Sequence, residues 1–157
     1  MRVYADSSFI VRLVTSEPES PAAVNEYRRL RRPRLFYLPL HALEVENAIY
    51  HRAFHARRAV PSRERAGVTR ERDAALSRLS HLRTQAALLD VTLDMDAALD
   101  QAQGLSRSHS ERLGARAIDL LHVSCALLLK SELFLSFDGR QLELARITGM
   151  QVAEISK

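Results

Sequence analysis

Cysteine is almost missing from this chain: Cys125 is the only one in 157 residues. An intramolecular disulfide is therefore excluded, and so is a zinc site built on paired thiolates. That usage fits a reducing compartment. Lysine is scarce too. Lys130 and Lys157 are the only two, so arginine carries nearly all of the positive charge. No apolar run approaches the roughly 18 residues that a membrane-spanning helix needs. The opening MRVYADSSFIVRL lacks the order of charge, apolar run and small-residue cleavage site that marks a secretory signal. There is no nucleotide-binding glycine loop, no G-x-S-x-G and no P-loop, and no internal repeat or low-complexity linker. The expectation is a soluble, cytoplasmic protein with no membrane association.

What is present suits a single domain over 1–157 with a core of its own. The hydrophobic fraction is 46%, ordinary for a globular chain. Net charge is +4 and the sequence pI is about 9.7. An arginine-dominated positive balance suits a phosphate-bearing or acidic partner, because the guanidinium fork pairs well with phosphate.

Periodicity divides the chain into alternating strands and helices. RVYA predicts a strand, and SSFIVRLV a helix capped by Asp6. PAAVNEYRRLRR predicts a helix opened by proline. LFYLP is a second strand, ended by Pro39, and LHALEVENAIYHRAFHARR a long amphipathic helix. The charged stretch from PSRER to TQAA is mostly helical, with a break expected near Gly67. LLDVTL is a third strand. DMDAALDQAQGLSRSH is a helix expected to fray over Ser106–Ser110. ARAIDLLHVSCALLLK is a strongly apolar helix. LFLSF is a fourth strand, followed by a DG turn and the helix RQLELARIT, and MQVAEI is a last strand. This alternation predicts an α/β fold: a central parallel sheet of about five strands sandwiched between helices, with right-handed crossovers. Ligands then bind beyond the carboxyl ends of the strands.

Three of the four acids fall at that edge, and Asp119 joins them if its helix starts there. Asp6 follows the first strand, Glu44 lies in the first turns of the helix after the second, and Asp138 follows the fourth. Asp119 lies in the first turn of the apolar helix that leads into the fourth strand, among Ile118, Leu120, Leu121 and Val123. Each has a plain structural reading. Asp6 caps a helix, Asp138 closes a turn, Glu44 is a solvated charge like its neighbour Glu46, and Asp119 complements a helix N-terminus or pairs with Arg116. Taken together they point to chemistry. Four carboxylates in one place repel, at about 4 kcal/mol per pair for 4 Å separation and an effective dielectric near 20. A hard divalent cation with oxygen ligands relieves this, and would explain why Asp119 is tolerated in such apolar company.

These residues also carry a family resemblance. VYADSSFIVRLV, ALEVENAI, AIDLLHVSCALLL and LFLSFDGRQLELA occur in order along the chain. The set resembles the PIN-domain ribonucleases, most closely the VapC-type toxins of bacterial toxin–antitoxin pairs. The resemblance implies the parallel-sheet fold, Mg²⁺- or Mn²⁺-dependent cleavage of RNA, a cognate antitoxin protein that neutralises the toxin, and a homodimer. It assigns the acids to Asp6, Glu44, Asp119 and Asp138, with Asp6 and Asp119 as the closest metal ligands. Ser7, Ser8 and Ser136 match hydroxyl positions, Ser7 and Ser136 being expected hydrogen-bond donors behind the ligands, and Asn47 matches an asparagine of the glutamate helix. The charged helical arm around 57–86 is longer and more charged than in compact members.

An acidic pocket repels RNA, so basic residues must draw the backbone in. Arg12, Arg116 and Arg140 lie near the acids in sequence. Arg28 and Arg29, with Arg31, Arg32 and Arg34, form the densest basic patch and read equally as a solvated helix face. His51 and His55, four apart on a helix, are half a metal site without a third ligand; His122 reads as a core histidine. An antitoxin tail is expected to set an arginine or similar cation against the pocket. Two other functions compete. A non-catalytic RNA- or protein-binding domain would keep the same fold with its acids idle. A phosphotransfer or phosphatase α/β domain would need a lysine at the site, but Lys130 falls just before the fourth strand, and Asp6 is followed by serines rather than by the phosphatase's second aspartate.

Overall fold

The structure, a computed structural model, describes residues 1–153 and 155. The expected last strand MQVAEI thus includes one position, Glu154, outside the described residues. The elements in chain order are β1 (Val3–Ala5), α1 (Ser7–Val14), α2 (Ser20–Arg29), β2 (Leu35–Tyr37), α3 (Pro39–Ala59), a 3₁₀ turn (Ser62–Glu64), α4 (Arg65–Thr84), β3 (Leu88–Asp90), α5 (Met95–Leu113), α6 (Ala117–Leu128), β4 (Leu133–Leu135), α7 (Gly139–Ile147) and β5 (Gln151–Val152). The strands form one sheet in the order β3-β2-β1-β4-β5, parallel throughout. No helix among the described residues is long and apolar enough to cross a membrane.

The sheet is buried on both faces, as an all-parallel sheet must be. Successive side chains of a strand point to opposite faces. Val3 and Ala5 of β1, with Leu133 and Leu135 of β4, pack with Phe9, Ile10, Val45, Ile49, Ala75 and Leu79 beneath α1, α3 and α4. Tyr4 and Phe134, the residues between them, pack on the other face with Ala98, Leu120, Val123 and Leu144 of α5, α6 and α7. The result is three layers, α/β/α. Chain order matters here. After β1 the chain moves toward β2 and β3 through helices on one face; after β3 it crosses to β4 and β5 through helices on the other. The topological switch therefore lies between β1 and β4, the place where open parallel sheets leave a crevice beyond their carboxyl ends.

Three local expectations are corrected. Pro39 opens α3 rather than only ending β2, since its missing N–H costs nothing at a helix start. The helix is not broken at Gly67, which lies in the first turn of α4. The interruption falls earlier, at Val60 and Pro61, where the backbone is extended. Nor does α5 fray at Ser106–Ser110. Ser108 and Ser110 bond back one turn, and Gly114, at φ 62°, closes the helix with its N–H on the Ser110 carbonyl. The far half of the α3–α4 hairpin stands clear of the core: nothing from Tyr50 to Ala74 is buried.

Candidate active site

Three of the four acids owe their positions to a local rule. Asp6 is the N-cap of α1, its Oδ1 accepting the Phe9 N–H at 3.0 Å. Asp138 is the N-cap of α7, its Oδ1 accepting from the Arg140 and Gln141 N–H groups at 2.8 and 3.4 Å. Asp119 stands in the first turn of α6, and its Oδ2 reaches back to the Arg116 N–H at 2.8 Å, half of a capping box. The plain readings of these three as helix-terminal residues therefore hold locally. Since α1, α6 and α7 present their N-terminal ends at the carboxyl edge of the sheet, the rules also bring these three acids to one cleft, and Glu44, in the first turns of α3, lies beside them.

Hydrogen bonds join Asp6, Asp119 and Asp138 into one network, while Glu44 has a separate set of partners. Ser136 donates to Asp6 Oδ2 at 2.8 Å and accepts the Asp138 N–H at 2.9 Å. Ser8 donates to Asp6 Oδ1 at 2.7 Å and accepts the Phe137 N–H. Arg116 spans two acids: its Nε and Nη2 donate to Asp119 at 3.1 and 2.9 Å, and Nη2 also reaches Asp138 Oδ2 at 3.1 Å. Gln141 adds a bond to Asp119 at 3.2 Å. On the far side, Glu44 Oε2 accepts from Ser7 at 2.7 Å and from His122 Nε2 at 2.6 Å.

The electrostatics of these carboxylates differ. Burial pushes the Asp6 carboxyl up, and the nearby His122 with the hydrogen bonds from Ser8, Phe9 and Ser136 only partly offsets it, so it stays raised. Burial also pushes Asp119 up, but the Arg116 contacts outweigh it and the carboxyl lies below its usual range. For Glu44, burial is outweighed by the bonds from His122 and Ser7, and its carboxyl too is lowered. The buried charge of Asp119, which the sequence reading assigned to a metal, is thus offset in the structure by Arg116.

Two histidines support this cleft. His122, read from sequence as a core residue, is buried yet bonds Glu44 through Nε2 and Tyr4 Oη through Nδ1 at 2.8 Å. Its ring thus ties Glu44 to the Tyr4 hydroxyl. His41 accepts the Leu38 N–H at Nδ1 and donates from Nε2 to the Ala5 carbonyl. Burial holds its pKa down to about 3, with His122 close by adding to the effect. Spacing was the available signal for the missed residues. His122 lies one turn after Asp119, Gln141 one turn after Asp138, and Tyr4 two residues before Asp6, on the same face of the extended chain.

The other predicted residues fall in three places. Arg12 stacks over Phe137 at 4.4 Å and donates to the Ser8 carbonyl, beside the cleft. Arg140 touches Asp138 at 3.5 Å and the Gly114 carbonyl. Asn47 is exposed on α3 with no hydrogen-bond partner among the described residues. Arg28 and Arg29 end α2, which feeds the amino end of β2, so they lie across the sheet from the acids; Arg29 is held by Glu26 at 2.7 Å. Lys130 likewise sits beyond the end of α6, at the amino end of β4, away from the cleft. His51 and His55 meet at 3.2 Å between Nε2 atoms, with no third metal-binding side chain joining them among the described residues.

The donor set is chemically right for a hard cation, being four carboxylates flanked by hydroxyls. No three acidic, histidine or cysteine side chains among the described residues, however, converge closely enough to hold an ion. Comparison with known proteins completes the picture. The family model for the PIN domain matches residues 3–147. A search of the curated proteins gives no match.

Proposed function

Because this chain belongs to the PIN domain family, whose members are generally nucleases, we propose that it is a divalent-metal-dependent ribonuclease that hydrolyses RNA phosphodiester bonds. One observation carries the reading. Three acids that are far apart in sequence, Asp6, Asp119 and Asp138, share one hydrogen-bonded network at the β1/β4 switch point, and Ser7, next to Asp6 in the chain, holds Glu44 beside them. Helix capping accounts for the position of three of these residues. It does not account for their convergence with Glu44.

In this reading Asp6 and Asp119, with Glu44 and Asp138, would hold Mg²⁺ or Mn²⁺. Such an ion would supply Lewis acidity at the phosphate and lower the pKa of a bound water. The chain's own residues do the rest. Ser7 and His122 both hold Glu44 Oε2, which leaves Oε1 open to orient a water or take its proton. Ser8 and Ser136 fix both oxygens of Asp6. Arg116 and Arg140, both at the cleft mouth and partly exposed, draw in the RNA backbone, and Arg12 flanks them.

The biological setting follows the sequence resemblance: a toxin neutralised by a cognate antitoxin, working as a homodimer. Leu43, Tyr50 and Phe54 stand exposed along α3 and give a protein partner an apolar surface. A second reading, a cleft that binds RNA or protein without cutting, draws on Arg116 already pairing Asp119 and Asp138. Incubating purified protein with RNA and Mn²⁺, then with EDTA, then as Asp6→Ala, separates the two. Cleavage with Mn²⁺ that both changes abolish is the expected result. Cleavage that survives both overturns the metal-dependent reading, and no cleavage under any condition favours the binding module. For the toxin setting, expression in bacteria is expected to stop growth, and Asp6→Ala to relieve the arrest.

A further inference from the structure

The guanidinium of Arg116 lies between two of the acids on which the proposed activity depends. It makes two side-chain bonds to Asp119, at 3.1 and 2.9 Å, and one to Asp138, at 3.1 Å. No other cation bridges two of the four acids among the described residues. Asp119 is fully buried, whereas the Arg116 side chain is 58% exposed. The arrangement is therefore lopsided: a buried carboxylate is capped by an arginine that faces water. Gln141 and the Arg116 main-chain N–H stay on Asp119 wherever the guanidinium goes, so the carboxylate keeps two donors if the side chain leaves.

We propose that Arg116 is a built-in counter-ion, which competes with the divalent cation for Asp119 and Asp138 and leaves them when the cation binds. The proposal rests on the metal-dependent reading of this cleft. Its physical basis is that a guanidinium and a divalent ion cannot both sit between the same two carboxylates, because their charges repel at that range. Opposite charges already neutralised give a cation less to gain. The metal-free cleft is thereby kept from holding two unpaired charges side by side, and the freed guanidinium, at the cleft mouth, is available to phosphate. Arg140 is the natural comparison. It carries the same charge and lies at the same mouth, yet meets only Asp138, at 3.5 Å.

The test measures Mn²⁺ binding to RNA-free protein, by electron paramagnetic resonance of free Mn²⁺ or by calorimetry. Arg116→Gln is expected to bind Mn²⁺ about tenfold more tightly than wild type, and Arg140→Gln no more than about threefold more tightly. Arg116→Lys, which keeps the charge without the two-armed fork, is expected between wild type and Arg116→Gln. A residue that only braced the start of α6 would loosen metal binding or leave it unchanged. The dissociation constant of each variant is read at a temperature where its circular dichroism matches that of wild type; should Arg116→Gln not fold, tighter binding by Arg116→Lys than by wild type decides in favour. Unchanged or weaker binding in the folded Arg116 variants overturns the counter-ion role and leaves the nuclease reading standing. No Mn²⁺ binding at millimolar concentration, in wild type and variants alike, overturns both.

Discussion

The two halves of the cleft solve one problem in different ways. On the β1/β4 side, Asp6 is buried among neutral donors, two serine hydroxyls and one main-chain N–H, and its carboxyl is raised. On the α6/α7 side, Asp119 is equally buried, but a full positive charge lies against it and its carboxyl is lowered. Dipoles satisfy hydrogen-bonding geometry without neutralising charge. Asp6 thus remains electrostatically in want of a cation, and Asp119 already has one. The position least compensated by the fold is the one that most needs an ion from solution.

That contrast is breakable. The largest effect is expected on catalysis, where the halves should not differ: Asp6→Asn and Asp119→Asn should each slow RNA cleavage by roughly 10²–10³-fold or more, in assays with saturating Mn²⁺. If only one of them does so, the acids do not act as a set. Stability should then separate them. Asp119→Asn removes the anionic partner of Arg116 and is expected to cost about 1–3 kcal/mol in denaturant unfolding, less than a fully buried pair because Arg116 reaches solvent. Asp6→Asn removes a poorly compensated charge and is expected to raise the melting temperature by about 2–4 °C, equivalent to roughly 1 kcal/mol in a domain of this size. A loss of stability in both variants would erase the distinction.

The pH dependence sharpens it further. His41 is held neutral, with its pKa near 3 in the folded protein against 6.5 as a free side chain. The unfolded chain takes up that proton first, so this contribution is complete above about pH 6.5 and declines as the pH falls toward 3. The slope is at most about 1.4 kcal/mol per pH unit. Asp6 acts oppositely: its raised carboxyl favours the folded state as the pH falls. Unfolding titrations at pH 7 and 4.5 should show His41→Gln with a flatter acid-side loss than wild type and Asp6→Asn with a steeper one. The smallest effect belongs to residues outside both halves. Asn47→Ala and Arg28→Ala should leave cleavage within about twofold of wild type, whereas His122→Gln, which loosens Glu44, should lower it about 10–100-fold.

How much of this could be read beforehand depended on distance along the chain. Strand–helix alternation and the apolar positions of β1 and β4 are local patterns, and the five-stranded parallel sheet follows from them. The end of α5 did not follow, because its serines look like a fraying signal until Gly114 is known to adopt its left-handed turn. In the site, the acids were legible because the switch-point rule says where such residues gather. The Tyr4–His122–Glu44 chain was not, since its members come from β1, α6 and α3 and only the packing of layers brings them together. Arg116 was half legible. Its pairing with Asp119 follows from three-residue spacing on a helix start, but its second contact, to Asp138, depends on how α7 is set beside α6.

The outlying hairpin has a practical consequence. Val45 and Ile49, the last buried side chains of α3, lie between Glu44 and the tip, and α4 is not buried again until Ala75. A fluorophore or affinity peptide grafted near Pro61 would report on the molecule from a distance. Such a graft leaves the carboxylates of the cleft untouched, which makes the tip a ready handle for single-molecule and pull-down work on a protein whose other end must stay open.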